Sequence, residues 1–123
     1  MREMKIAVSS AGKTLDDDLD VRFGRAACFL VVDPETLSYE VVENGQNLNA
    51  AQGAGIQAGK TVADRGVEVV ITGNCGPKAF AVLEKAGIKV VTGASGRIRD
   101  VLEKYKSGAF SPSAGPNVNG HWM

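Results

Sequence analysis

The second half of the chain alternates short apolar runs with stretches of helical periodicity, and a glycine-rich turn follows each apolar run. Residues 67–72 and 88–92 are apolar and rich in β-branched side chains, which is typical of buried strands. The turns are residues 73–77 and 93–97, and a helical pattern follows each of them. Because strands joined through a helix pair in parallel by right-handed crossovers, the pattern predicts an α/β domain.

Capping residues mark where the three helices are expected to begin. Asn49 precedes the first helix, and Gln52 lies three residues later, where its side chain can bond back to the cap. Gly76 precedes the second helix, and Pro77 takes the first helical position, where its missing amide hydrogen costs nothing. Ser95 is expected to cap the third helix.

Three further strands are expected in the first half. Residues 4–9 form strand 1, residues 26–33 form a strand that is apolar on both faces, and residues 38–43 alternate like an edge strand. Residues 10–25 lack helical periodicity and are expected to be a long loop. The expected sheet order is 3-2-1-4-5 with strand 2 antiparallel to the others, and helices on both faces make a three-layer, ribonuclease-H-like α/β fold.

The strand order reverses beside strand 1, and ligands of open α/β sheets favour the crevice beyond the carboxyl ends of the strands at such a point. Helix N-termini there offer amide N–H groups and the positive end of the helix dipole, which attract anions. The candidate binding residues are Phe23, Gly24, Arg25, Gly73, Asn74, Gly76, Pro77, Gly93, Ser95, Gly96 and Arg97.

The chain has two cysteines, and their spacing suits neither a disulfide framework nor a closed zinc site. Cys75 lies where a helix begins, and the helix dipole is expected to lower its pKa and favour a metal-binding thiolate. Cys28 lies inside strand 2 and is expected to pack in the core.

Composition narrows the function classes. The 123 residues suit one domain, expected over residues 1–108 with a flexible tail over residues 109–123. The formal net charge is zero, so nucleic acid is not an expected partner. No apolar run is long enough to span a bilayer and no signal peptide is evident, so we expect a cytoplasmic protein without a membrane partner.

Two kinds of catalytic site are excluded by the residues present. A nuclease of the ribonuclease-H type needs metal-binding carboxylates on strand 1, and residues 6–9 offer none. A triad of the Ser/His/Asp type needs a placed histidine, whereas His121 is the single histidine and lies in the tail.

The order and spacing of four segments resemble the dinitrogenase iron–molybdenum cofactor biosynthesis family, of the NifX and NifB C-terminal type. The segments are residues 23–26, 53–58, 71–90 and 93–96. The resemblance spans about residues 4–108. It implies a ribonuclease-H-like α/β fold and a non-enzymatic protein that binds or carries an iron–sulfur or molybdenum-containing cluster, with a cluster donor or acceptor protein as a possible partner.

Two other functions fit the same loops. The crevice could bind a small phosphorylated metabolite in an enzyme or a sensor, or the domain could regulate a partner protein by binding it. The cluster carrier is the leading hypothesis, with Cys75 as the candidate metal ligand.

Overall fold

The computed structural model describes residues 5–44 and 54–108. They form one five-stranded sheet and three helices. The strands are β1 (Ile6–Ser10), β2 (Cys28–Val32), β3 (Tyr39–Glu43), β4 (Val69–Ile71) and β5 (Lys89–Val91), and the helices are α1 (Ala54–Ala63), α2 (Pro77–Lys85) and α3 (Ile98–Lys106). None of these helices has the length and apolar character that crossing a membrane would require.

The sheet has the order β3-β2-β1-β4-β5, as the sequence predicts. β1 pairs antiparallel with β2 and parallel with β4, and Val8 lies opposite Leu30 on one side and Ile71 on the other. β2 and β3 are antiparallel, and β4 and β5 are parallel. This arrangement is an α/β fold and is compatible with the ribonuclease-H-like type.

Burial along the strands follows their place in the sheet. Every residue of β1 and β2 is buried, because these strands have neighbours on both sides and layers on both faces. In β3 only Val42 is buried, which fits the predicted edge strand. Tyr39 and Val41 on the same strand are 41% and 36% exposed.

Two apolar clusters make the molecule three-layered. α1 and α2 cover one face of the sheet through residues that include Val62 and Leu83. α3 covers the other face with Ile98, Val101 and Leu102, and Tyr105 packs against them partly buried. These four residues are the stripe that helical spacing predicts. Cys28 is buried in the α3 cluster, so the predicted core position is confirmed.

The helix starts are partly as predicted. Gly76 is the N-cap of α2 and Pro77 is its first residue, which confirms the expectation. The prediction that Ser95 caps α3 is wrong, because Arg97 holds that position and no side chain caps the helix. The cap predicted at Asn49 with Gln52, and the tail over residues 109–123, lie outside the described residues.

Candidate functional site

Three predicted loops, residues 10–25, 73–77 and 93–97, meet beyond the carboxyl ends of β1, β4 and β5. Main-chain hydrogen bonds join them into what we call the loop cluster. The amide of Gly93 donates to the carbonyl of Gly73 over 2.8 Å, which ties the two glycine-rich turns together. The amide of Asn74 donates to the carbonyl of Val21 over 2.6 Å, and that of Leu19 to the carbonyl of Gly96 over 2.8 Å. Topology and turn chemistry therefore locate the loop cluster correctly.

The long loop crosses the region beside β1 where the crevice is predicted. Residues 19–23, which we call the strap, cross the ends of β1 and β4. Leu19 and Phe23 anchor the two ends of the strap, 5% and 0% exposed, and Val21 between them is 40% exposed. The long loop therefore contributes core residues that its polar composition conceals.

A buried hydroxyl pair lies beneath the strap. The Ser9 Oγ lies 2.6 Å from the carbonyl oxygen of Asp20 and 2.8 Å from the Thr72 Oγ1. A serine hydroxyl has one proton and a carbonyl can only accept, so Ser9 donates to Asp20 and the Thr72 hydroxyl donates to Ser9. Both side chains are fully buried, and the pair links β1, the strap and the end of β4.

The N-terminus of α3 is already supplied with acceptors. The amides of Ile98 and Arg99 donate to the carbonyls of Asp17 and Leu15 over 3.0 and 2.9 Å. The amide N–H groups in the first turn of a helix are the donors that would otherwise bind an anion, and these two already have acceptors. The prediction that amides after β5 form an anion site is therefore wrong for the first turn of α3.

An ion pair strengthens this junction. The Arg99 Nε lies 2.9 Å from a carboxylate oxygen of Asp16. The hydrogen bond from Arg99, together with its charge, lowers the pKa of Asp16 below its ordinary value of 3.8. The pair fixes the long loop to α3 and leaves that carboxylate matched by a cation.

Cys75 does not have the predicted environment. Its side chain is fully buried in the cluster beneath α1 and α2. Burial disfavours the charged form and raises the pKa of the thiol to about 12, so the expected lowering of the pKa is wrong. Desolvation of the thiol causes this rise, although a helix begins two residues later.

The other predicted residues separate into buried and accessible groups. Phe23 packs in the core with its ring 5.2 Å from that of Phe29, and Gly24, Gly73 and Gly76 are buried as well. The half-buried or exposed members are Arg25, Asn74, Pro77, Gly93, Ser95, Gly96 and Arg97.

Gly93 and Gly96 have features that suit contact with a ligand. Both adopt positive φ angles, 82° and 97°, which side-chain-bearing residues rarely do. A Cβ built on either would meet nothing within 4 Å, so the space beside their backbone is open. Gly73 differs, because the strap occupies the space beside it.

Three of the cations of the loops, Arg25, Lys78 and Arg97, make up what we call the basic rim. One follows the strap, one lies in the first turn of α2, and one immediately precedes α3. Lys78 and Arg97 are exposed and Arg25 is half-buried. The nearby Arg22 pairs with Asp20 over 3.5 Å. The rim therefore offers positive charge to an anionic ligand.

Asn44 was not identified from the sequence. It is 2% exposed and lies directly after β3, and its amide donates to the carbonyls of Gly24 and Ala26 over 3.3 and 2.8 Å. It thereby holds the segment that presents Arg25. An isolated asparagine after an edge strand looks like any turn residue, so the sequence carries no signal for this role.

The described residues contain no group of three or more histidine, cysteine or acidic side chains placed to hold a metal ion. A cavity of about 390 Å³ lies at the opposite end of the sheet and is lined by residues that include Lys5, Asp33 and Glu40. That cavity is remote from the loop cluster.

Comparisons with known proteins agree on one family. The profile of the family described as "Dinitrogenase iron-molybdenum cofactor" matches residues 4–108. The structure of the apo form of the orange protein from Desulfovibrio gigas superposes with a TM-score of 0.91 at 42% identity, over 95% of this chain and 98% of that one.

Two further relatives match at lower sequence identity. A candidate NifB protein from Thermotoga is 32% identical over 89% of this chain and 92% of its own, with a TM-score of 0.76. An uncharacterized protein of Methanocaldococcus jannaschii, MJ0580, is 28% identical over 109 residues, which are 85% of this chain and 92% of that protein.

Proposed function

The chain belongs to the dinitrogenase iron-molybdenum cofactor family, and from this premise we propose that it binds or carries an anionic metal–sulfur cluster on its loop cluster. The family and the structural neighbours indicate a role in metal-cluster or cofactor binding or biosynthesis. The proposal adds the class of cluster, iron–sulfur or molybdenum-containing, and the surface that holds it.

The observation that carries the proposal is the basic rim at the meeting point of the three loops. Metal–sulfur clusters are negatively charged. The attraction between such a charge and a cation 4 Å away is roughly 1 to 4 kcal/mol, and it is larger where the site excludes more water. Two of the four aspartates of the long loop, Asp16 and Asp20, each have an arginine beside them, over 2.9 and 3.5 Å, so they oppose an anion less than free carboxylates would. The rim has to outweigh the charge of the other two, Asp17 and Asp18.

The accessible backbone at Gly93 and Gly96 supports the same location for the cluster. With no Cβ and nothing within 4 Å, these two residues let a bulky inorganic group approach the main chain. Arg97 follows directly, and Asn74 and Pro77 lie on the neighbouring turn. The buried members of the predicted site position the loops in this proposal and do not contact the cluster. They are Phe23, Gly24, Gly73 and Gly76.

Direct ligation by Cys75 stays a prediction of the sequence. Its thiol is buried and its pKa of about 12 keeps it protonated at neutral pH, whereas a ligand must be a thiolate. Ligation would therefore require the turn to open and the proton to leave. In the proposal the charge of the rim, and not this thiol, supplies most of the affinity.

The proposal is tested by anaerobic reconstitution. The purified chain is incubated with iron, sulfide and molybdate, and the protein is separated from small molecules by gel filtration. We expect a coloured protein that contains metal and sulfide. A colourless product without bound metal would overturn the proposal.

A matched pair of variants tests the location. The rim variant carries Arg25→Gln, Lys78→Gln and Arg97→Gln. The control carries Lys60→Gln, Lys85→Gln and Lys104→Gln, which remove the same charge from exposed positions on α1, α2 and α3. We expect the rim variant to bind at least tenfold less metal and the control to bind as the wild type does. Equal loss in both would place the cluster elsewhere.

A further inference from the structure

We propose that the strap opens and closes as one local unit over the turn at residues 73–76, with the Ser9 hydroxyl as its latch. The part of this inference that concerns a ligand rests on the proposed function. In the closed state the strap covers the end of β4. In the open state main-chain groups of that turn become available to an anionic ligand.

The closed strap is held mainly by its main chain. The amide of Asp20 donates to the carbonyl of Ser9 over 2.9 Å, and the amide of Phe23 donates to the carbonyl of Asn74 over 3.2 Å. The amide of Asn74 returns a bond to Val21 over 2.6 Å. A side-chain bond from β1 adds to these, because the Ser9 hydroxyl donates to the carbonyl of Asp20 over 2.6 Å.

The burial along the strap favours a local opening. Leu19 is anchored in the cluster under α3, and Phe23 in the cluster under α1 and α2. Between these anchors Val21 is 40% exposed and the Arg22 side chain 51% exposed. Segments that bury little apolar surface open at lower free energy than the core strands do. The anchors therefore set the ends of the unit that moves.

Opening changes what the turn offers. Release of the strap breaks the bond from the Asn74 amide to the carbonyl of Val21, two residues before the Gly76 N-cap of α2. A main-chain N–H near the positive end of a helix dipole is a suitable donor to an anion. A ligand that takes this donor binds the open state better, so it shifts the population toward that state.

Hydrogen exchange of the ligand-free protein, followed by NMR at increasing urea, tests the unit. The amides of Asp20, Phe23 and Asn74 are compared with those of the β1–β4 ladder. We expect the three strap amides to share one opening equilibrium that hardly depends on urea, while the ladder amides follow global unfolding. Strap amides with the urea dependence of the ladder would overturn the inference.

Two matched serine variants test the latch. Ser9→Ala removes the bond to Asp20 together with the bond from Thr72, and Ser107→Ala removes a bond of 2.8 Å from an exposed serine hydroxyl to the carbonyl of Lys104 at the far end of α3. We expect Ser9→Ala to speed exchange of the strap amides about fivefold to tenfold, and exchange of the ladder by the same factor, because the latch is broken in the open strap and in the unfolded chain alike. Ser107→Ala should leave the strap amides unchanged, because its bond persists when the strap opens. Faster exchange of the ladder with unchanged exchange of the strap in Ser9→Ala would contradict the latch.

The two proposals fail separately. If the strap opens locally and the protein binds no metal from iron, sulfide and molybdate, the result supports local opening and contradicts the cluster function. If metal binds and the strap amides exchange only by global unfolding, the result supports the cluster function and contradicts local opening. If both hold, the reconstituted protein should show altered exchange at Asn74, and the ladder amides should exchange more slowly because the bound cluster stabilises the folded protein.

Discussion

Gly73 and Val21 are in such close contact that no side chain fits between them. A Cβ built on Gly73 would lie 2.6 Å from the Cβ of Val21 and 2.8 Å from its Cα. The φ angle of Gly73 is not among the positive ones, so space and not backbone conformation requires a glycine here. The glycine lets the strap lie directly on the end of β4.

This contact predicts the effect of Gly73→Ala. The added methyl group meets backbone as well as side chain, so the strap has to move, and we expect a loss of about 1 to 3 kcal/mol in the free energy of unfolding. Urea denaturation of the variant and the wild type measures the loss.

Gly59→Ala is the matched control. Its Cβ would lie 2.9 Å from a methyl carbon of Val82 between α1 and α2, away from the strap. In a helix, alanine also recovers up to about 1 kcal/mol of propensity. We expect a smaller loss of stability and unchanged exchange of the strap amides. A Gly73→Ala protein as stable as the wild type would contradict the close contact.

Cys75 predicts a fall in stability at alkaline pH. Its pKa is about 12 in the folded protein against an ordinary value of 9.0, so the folded state holds the proton more tightly than the unfolded chain does. This contribution is complete below pH 9.0 and is lost as the pH rises toward 12. Free energies of unfolding, measured by urea at a series of pH values, should decline over that range.

Cys75→Ala provides the comparison for this decline. The variant lacks the titrating thiol, so the part of the decline that belongs to Cys75 should disappear, although the smaller side chain lowers stability by about 1 kcal/mol at neutral pH. An identical alkaline decline in both proteins would show that Cys75 is not held as a buried thiol.

The pair of Asp16 and Arg99 predicts a small effect in the acid range. The folded-state pKa of Asp16 is below 3.8, so its contribution is present above that value and is lost as the pH falls through the folded-state pKa. Asp16→Asn should lower the unfolding midpoint slightly at neutral pH and low salt. The difference should shrink in high salt, which screens exposed pairs, and in strong acid. A difference unaffected by salt and acid would show that charge is not its cause.

The sequence determined the sheet through features that act locally. The apolar runs, the turn between β2 and β3 and the helical crossovers leave few alternatives for the strand order, and the order β3-β2-β1-β4-β5 is observed. The stripe through Ile98, Val101 and Leu102 predicted the buried face of α3 for the same reason. Helical and strand periods are local properties, and one sequence is enough to read them.

The loop cluster depended on contacts that one sequence does not reveal. Ser95 looked like a helix cap, yet the carbonyls of Leu15 and Asp17 bond to the amides of Arg99 and Ile98. Cys75 looked like an activated thiol, yet burial raises its pKa. For the start of α3 the decisive contact comes from a segment about 80 residues away in sequence, and the polar composition of that segment gave no hint of its packing.

Metal analysis of the protein purified without oxygen from its own source tests the central claim most directly. The measurement compares metal and acid-labile sulfide per chain for the wild type with those for the rim variant, Arg25→Gln with Lys78→Gln and Arg97→Gln, expressed in the same cells. We predict metal and sulfide that co-elute with the wild type and fall at least tenfold in the rim variant. A wild-type protein free of metal, or a rim variant with the same metal content, would contradict the proposal.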